Sequence, residues 1–175
     1  VIHSVIEEFQ ISDLDGMSVV DTYGALDKTS INRLISIFDT KMPRKSAIGL
    51  HLHENLSSSM LLVDQFNSYD TQRTKIFDAS LAGMGRIPGN LPIELIASYL
   101  NKHGCSNYKI EDLYDAVTLI SKFKSVSSWG YSAIYSYAAT MGLDRTYPEY
   151  FSELGLSERQ IFQSLRKIKE DNRDL

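Results

Sequence analysis

At 175 residues, with 43% hydrophobic and 23% charged content, the chain has the make-up of a soluble globular domain long enough to build a real core. A formal net charge of −4 and dispersed Lys and Arg argue against a nucleic-acid or anionic-membrane partner held by bulk electrostatics. The single cysteine, Cys105, excludes an internal disulfide and suits a reducing, cytoplasmic compartment, and no apolar run approaches a membrane span.

In chain order, "VIHSVIEEFQ" carries Val1, Ile2, Val5, Ile6 and Phe9 at helical spacing. The chain opens without Met or a signal-peptide pattern, and this stretch reads like the middle or end of a helix, so the chain is expected to be part of something longer. "MSVVDTYG" is a short apolar strand ending in a polar cluster. "DKTSINRLISIFDTKM" puts Ile31, Leu34, Ile35 and Phe38 on one helical face, with Asp27 or Thr29 as its cap. A strand, "SAIGLHLH", precedes a helix, "NLSSSMLLVDQFNSYD". The strand "KIFDASLAGMG" then runs into the loop "GRIPGN". "LPIELIASYLNKHG" is punctuated as a helix by Pro92 near its start and by His103 and Gly104 at its close.

Short apolar strands alternating with helices predict a parallel α/β sheet over residues 1–105. Residues 106–175 predict helices only. "YKIEDLYDAVTLISKF" aligns Ile110, Leu113, Val117, Ile120 and Phe123. "SERQIFQSLRKIKE" opens with Ser157 and Gln160 at capping-box spacing before Ile161, Phe162, Leu165 and Ile168.

Function in parallel α/β proteins collects at the carboxyl ends of the strands. Here those ends carry Asp21, Thr22, Tyr23 and Gly24; then His51, His53, Glu54 and Asn55; then Asp78, Ser80 and the glycines Gly83, Gly85 and Gly89 before Asn90. His51 and His53 lie two apart, so a strand points both imidazoles to one face, as a pair of metal ligands requires. The plainer reading is a surface pair in a loop. Asp21 reads as a turn or cap residue or as a catalyst, and Asn90, before a helix, reads by default as an N-cap.

Together, "IGLHLHENL", "DASLAGMGRIPGN" and "DTYGAL" resemble the DRE-TIM metallolyase (HMG-CoA-lyase-like) superfamily. Within it, "DASLAGMG" through Gly89 and Asn90, and "GYSAIYSYAA" at residues 130–139, look most like 4-hydroxy-2-oxovalerate aldolases. The resemblance implies a (β/α)8 TIM barrel of which this chain carries strands six to eight and a helical C-terminal region. It implies metal ligation by His51, His53 and Asn90, with Mn2+ favoured over Mg2+, Co2+ or Zn2+. Asn55 is expected to hold the loop instead of the metal. Ser80, Gly83 and Gly85 become substrate-binding candidates and Tyr131 the candidate acid, although Tyr131 and Tyr135, four apart, also suit simple packing. The implied reaction cleaves or forms a carbon–carbon bond next to a 2-oxo acid.

The first five strands, with the family's Arg-Asp-Gly-type motif, are missing from this sequence, so another part of the same or another chain is expected to supply them. The segment alone is expected to be inactive. A Claisen-type acyl-CoA synthase and a non-catalytic metal-binding or assembly module stand as alternatives. The family's C-terminal region docks an aldehyde dehydrogenase, which makes the C-terminal helices a candidate protein interface. The tail "TYPEYFSELGLSERQIFQSLRKIKED" departs from the family pattern, which weakens the case for that particular partner.

Overall fold

A computed structural model describes residues 14–123 and 129–171. The expected first helix, residues 1–10, lies outside them. Three strands, β1 (Gly16–Val20), β2 (Ala47–His51) and β3 (Lys75–Asp78), form one parallel sheet in the order β1-β2-β3. The register pairs Val20 with His51 and His51 with Asp78, so all three strands end at one level. Crossover helices α1 (Lys28–Lys41) and α2 (Ser59–Ser68) join the strands, and α3 (Ile93–Lys102) follows β3 after a 3₁₀ turn at Leu81–Gly83.

Strand alternation sends Ile48, Leu50 and Leu52 to one face of the sheet. There they meet Ile31, Ile35 and Phe38 of α1, Leu62, Val63 and Phe66 of α2, and Ile96 of α3 in one core. The opposite face, with Ser18, Val20, Gly49, His51, Ile76 and Asp78, contributes nothing to that core. Val20 is 54% and Ile76 42% exposed. Among the described residues the outer edges of β1 and β3 have no strand partner. Among the described residues the sheet is therefore covered on one side and open on the other.

The predicted helix boundaries hold closely. Asp27 caps α1 by accepting a hydrogen bond from the Ser30 N–H at 2.7 Å. His103 caps α3 at its carboxyl end, and Gly104 follows in the left-handed region at φ 69°. The far end of α1 rests on buried Arg73, whose guanidinium donates to the carbonyls of Asp39, Met42, Pro43 and Ser46 and to the Asp39 carboxylate. Of these, the Asp39 and Met42 carbonyls are backbone acceptors that the helix end leaves over.

Four further helices follow: α4 (Ile110–Ser121), α5 (Ala133–Thr140), α6 (Thr146–Glu153) and α7 (Glu158–Asp171). Helix α4 buries no residue fully, and Phe123, aligned with its apolar stripe, is exposed. A second core joins Ile134, Tyr135 and Ala138 of α5 to Leu143 and to Ile161 and Leu165 of α7, with Ile87 packed against it. At the start of α7 the Gln160 side-chain oxygen accepts from the Ser157 N–H at 2.9 Å, half of the capping box expected from the sequence, while the Ser157 hydroxyl donates to the same oxygen. Helix α6 falls in the stretch that the sequence predicts to be helical, without a periodic stripe to mark its bounds. Its Pro148 reads as a breaker, but it falls in the first turn, where no intrahelical N–H is needed. Among the described residues no helix is long and apolar enough to cross a membrane.

Candidate metal centre

The carboxyl ends of the strands gather most of the predicted site. His51 closes β2, and the imidazole rings of His51 and His53 lie 5.0 Å apart between centroids with planes at 61°. That separation lets both rings reach one ion, given nitrogen–metal bonds of about 2.1 Å. Each ring is oriented through its Nδ1. His53 Nδ1 sits 2.7 Å from the Asp21 carbonyl oxygen. A carbonyl only accepts, so Nδ1 carries a proton and Nε2 is the ring atom left to meet an ion. His51 Nδ1 lies 3.5 Å from Asp78 Oδ2, which faces that ring nitrogen from the end of β3. Sequence reasoning placed Asp78 at a strand end without its role. The period-two register against His51 was the available signal.

Asp21 is the brace beneath His53. Its backbone N–H donates to the His51 carbonyl at 2.9 Å, and its own carbonyl accepts from Gly24 as well as from His53. Its buried carboxylate accepts the N–H groups of Ala25 and Leu26 at 3.0 and 3.2 Å. Burial pushes this carboxyl above the ordinary range, opposed by those N–H groups and by nearby His53. Of its two sequence readings, the turn residue describes these contacts. Asn55 is buried against the same turn: a Cβ on Gly24 would stand 2.4 Å from Asn55 Oδ1.

Asn90 does not cap α3, whose N-cap is Pro92. It stands directly opposite His53 in a short antiparallel bridge flanked by Leu91 N–H to Leu52 O and Glu54 N–H to Gly89 O. The Asn90 side-chain amide donates to the Met84 carbonyl at 3.1 Å, which leaves Oδ1 as its metal-competent atom. Gly85 makes room for this, since a Cβ there would meet Asn90 Nδ2 at 2.7 Å. Ser80 and Gly83 direct their polar groups into the same loop. Ser80 Oγ donates to Met84 O at 2.7 Å, and Gly83 donates to Ser80 O and accepts from Asn90 N–H.

Tyr131 is 73% exposed and lines a small cleft of about 170 Å³ with Asn90, Glu54, Gly83 and Trp129. Core packing therefore does not account for Tyr131, whereas Tyr135 is buried. Trp129 and Glu94 escaped sequence reasoning. The Trp129 indole N–H donates to the Ala82 carbonyl at 2.8 Å, and Glu94 Oε2 accepts the Ala82 N–H at 3.0 Å. The only sequence signals were a lone Trp near the tyrosine motif and an acid in the first turn of a helix.

The donor set fits a divalent cation in part. Two imidazoles approached at Nδ1 and an amide oxygen suit a borderline ion such as Mn2+, Co2+ or Zn2+. Among the described residues no three His, Cys, Asp or Glu side chains cluster to hold an ion alone.

The chain is thus a three-stranded parallel α/β unit with two histidines at the carboxyl end of its middle strand. No protein-family model matches it. The curated relatives it resembles are 4-hydroxy-2-oxovalerate aldolases. That of Pseudoalteromonas translucida (strain TAC 125) is 24% identical over 159 residues, covering 85% of this chain and 44% of the relative. That of Marinomonas sp. (strain MWYL1) is 24% identical over 179 residues, covering 95% and 50%. The chain thus spans about half the length of the curated relatives it matches. Among solved structures, the N-terminal domain of a Bacteroides vulgatus protein assigned as an aldolase superimposes with a TM-score of 0.71 at 22% identity, over 94% of this chain and 55% of that one. Hydroxymethylglutaryl-CoA lyase from Pseudomonas aeruginosa gives 0.58 at 23% identity, over 71% and 42%. The likeness to the DRE-TIM metallolyase superfamily read from the motifs is borne out by these comparisons.

Proposed function

We propose that this chain carries the histidine half of a divalent-metal-dependent aldolase that cleaves or forms a carbon–carbon bond next to a 2-oxo acid. It would do so as strands six to eight of a (β/α)8 barrel, with the remaining strands supplied from the same or another polypeptide. The observation that carries this reading is the pair His51 and His53, each with Nδ1 engaged and Nε2 free, facing Asn90 across a strand-end bridge. The incomplete donor set agrees with further ligands from the missing strands.

His51, His53 and Asn90 would hold the ion. A divalent cation there supplies Lewis acidity, stabilising the negative charge that develops on a 2-oxo acid as the neighbouring bond breaks. The Asp21 carbonyl and the Asp78 carboxylate would hold the two rings at Nδ1 and aim them. Ser80, Gly83 and Gly85 shape the loop against which the substrate's carboxylate end would rest. Tyr131, exposed at the mouth of the cleft beside Asn90, would serve as the acid that protonates the enolate carbon.

The test is a retro-aldol assay on the full-length polypeptide, reading pyruvate release from 4-hydroxy-2-oxo acids. Release should cease with EDTA, return with Mn2+, and be absent in His51→Ala. Full Mn2+ occupancy without turnover on any 2-oxo acid would instead favour a non-catalytic metal-binding module.

A further inference from the structure

We propose that Trp129 and Glu94 are positioning residues that clamp the Ala82 peptide from both sides and thereby set Asn90 opposite the histidine pair, an inference that rests on the metal-centre reading above. Ala82 holds φ 52° and ψ 24°, in the left-handed region. A non-glycine residue stays there only where its surroundings impose it. Two buried side chains do so here. The Glu94 carboxylate takes the Ala82 N–H at 3.0 Å and the Trp129 indole gives its N–H to the Ala82 carbonyl at 2.8 Å.

The clamp acts on Asn90 through the next two peptides. Gly83 O accepts the Asn90 backbone N–H at 3.0 Å, and Met84 O accepts its side-chain amide at 3.1 Å. If Ala82 relaxed to the right-handed region, both carbonyls would turn away and Asn90 would lose its seat. Trp129 reaches Ala82 from 47 positions along the chain, next to the helical C-terminal region. Its neighbour Gly130 adds a second tie through its N–H to Pro88 O at 2.7 Å. The helical region thus bears directly on a ligand carried by the sheet's glycine loop.

Calorimetric titration of Mn2+ into the metal-free full-length polypeptide tests this in wild type, Trp129→Phe, Asn90→Ala and the double variant. Phenylalanine keeps an aromatic ring there, at somewhat smaller volume, and removes the donor. We expect Trp129→Phe to bind Mn2+ about ten-fold more weakly or worse, as for other residues that orient ligands. The double variant should bind no more weakly than Asn90→Ala alone. Unchanged affinity in Trp129→Phe, or a loss that adds in full to that of Asn90→Ala, overturns the clamp. Should Trp129→Phe not fold, Glu94→Leu serves the same test. It should weaken binding while Glu94→Gln, which keeps an acceptor, stays near wild type, and equal affinities in the two overturn the clamp. A His51→Ala/His53→Ala control separates the two levels. Mn2+ binding that persists there refutes the metal reading and the clamp with it; binding lost there but retained in Trp129→Phe refutes the clamp alone.

Discussion

His53 shows how little of a ligand's preparation is written in its own residue type. Its tautomer is set by a backbone carbonyl, that of Asp21, which is held in turn by the carboxylate accepting Ala25 and Leu26. Replacing Asp21 by Asn would set an amide N–H against one of two buried N–H donors. We expect Asp21→Asn to lose about 1–2 kcal/mol in urea unfolding, and Mn2+ affinity to fall with it. Gly85→Ala is the complementary probe. Its methyl would collide with Asn90 Nδ2, so Mn2+ affinity should drop about ten-fold while both histidines stay untouched. The histidine pair was legible because a strand has a period of two, and Asn90 because the loop motif pointed to it. The orienting carbonyl of Asp21 and the left-handed Ala82 were not. A main-chain acceptor leaves no mark in residue identity, and alanine does not advertise a positive φ as glycine does.

At the scale of elements, α1 is fixed at both ends by side chains of opposite charge. Hydrogen bonds from the Ser30 N–H and hydroxyl hold the Asp27 carboxyl below its ordinary value. With the folded value depressed, its stabilisation is complete above the ordinary carboxylate pKa and is lost as pH falls through the folded one. Asp27→Asn keeps an acceptor but not the charge, so its melting temperature should depend less on pH across that acid window, as thermal melts would show. At the other end Arg73 is buried beneath four carbonyls. Arg73→Met fills the space but strands those acceptors, and equilibrium unfolding should show a loss of about 3 kcal/mol. The alternation of strands and helices and the cap at Asp27 could be read in advance from periodicity and capping chemistry. The use of Arg73 could not, because the helix end it supports lies some thirty residues away in sequence.

Among the described residues the sheet is asymmetric: helices cover one face, while Val20 and Ile76 stand exposed on the other and two strand edges have no strand partner. Parallel sheets are normally buried on both faces, and open edges invite further pairing. Expressed by itself, the chain should therefore self-associate in sedimentation, and β1 and β3 amides should exchange faster than those of β2. Supplying the remaining barrel strands should suppress both effects. The clamp on Ala82 adds an optical consequence. Trp129 is this chain's single tryptophan, and its indole N–H is bonded to the loop that carries Asn90. Nature has in effect wired a fluorophore to the ligand loop. Ultraviolet emission from one indole, in a background free of other tryptophans, becomes a built-in gauge of whether that loop is seated.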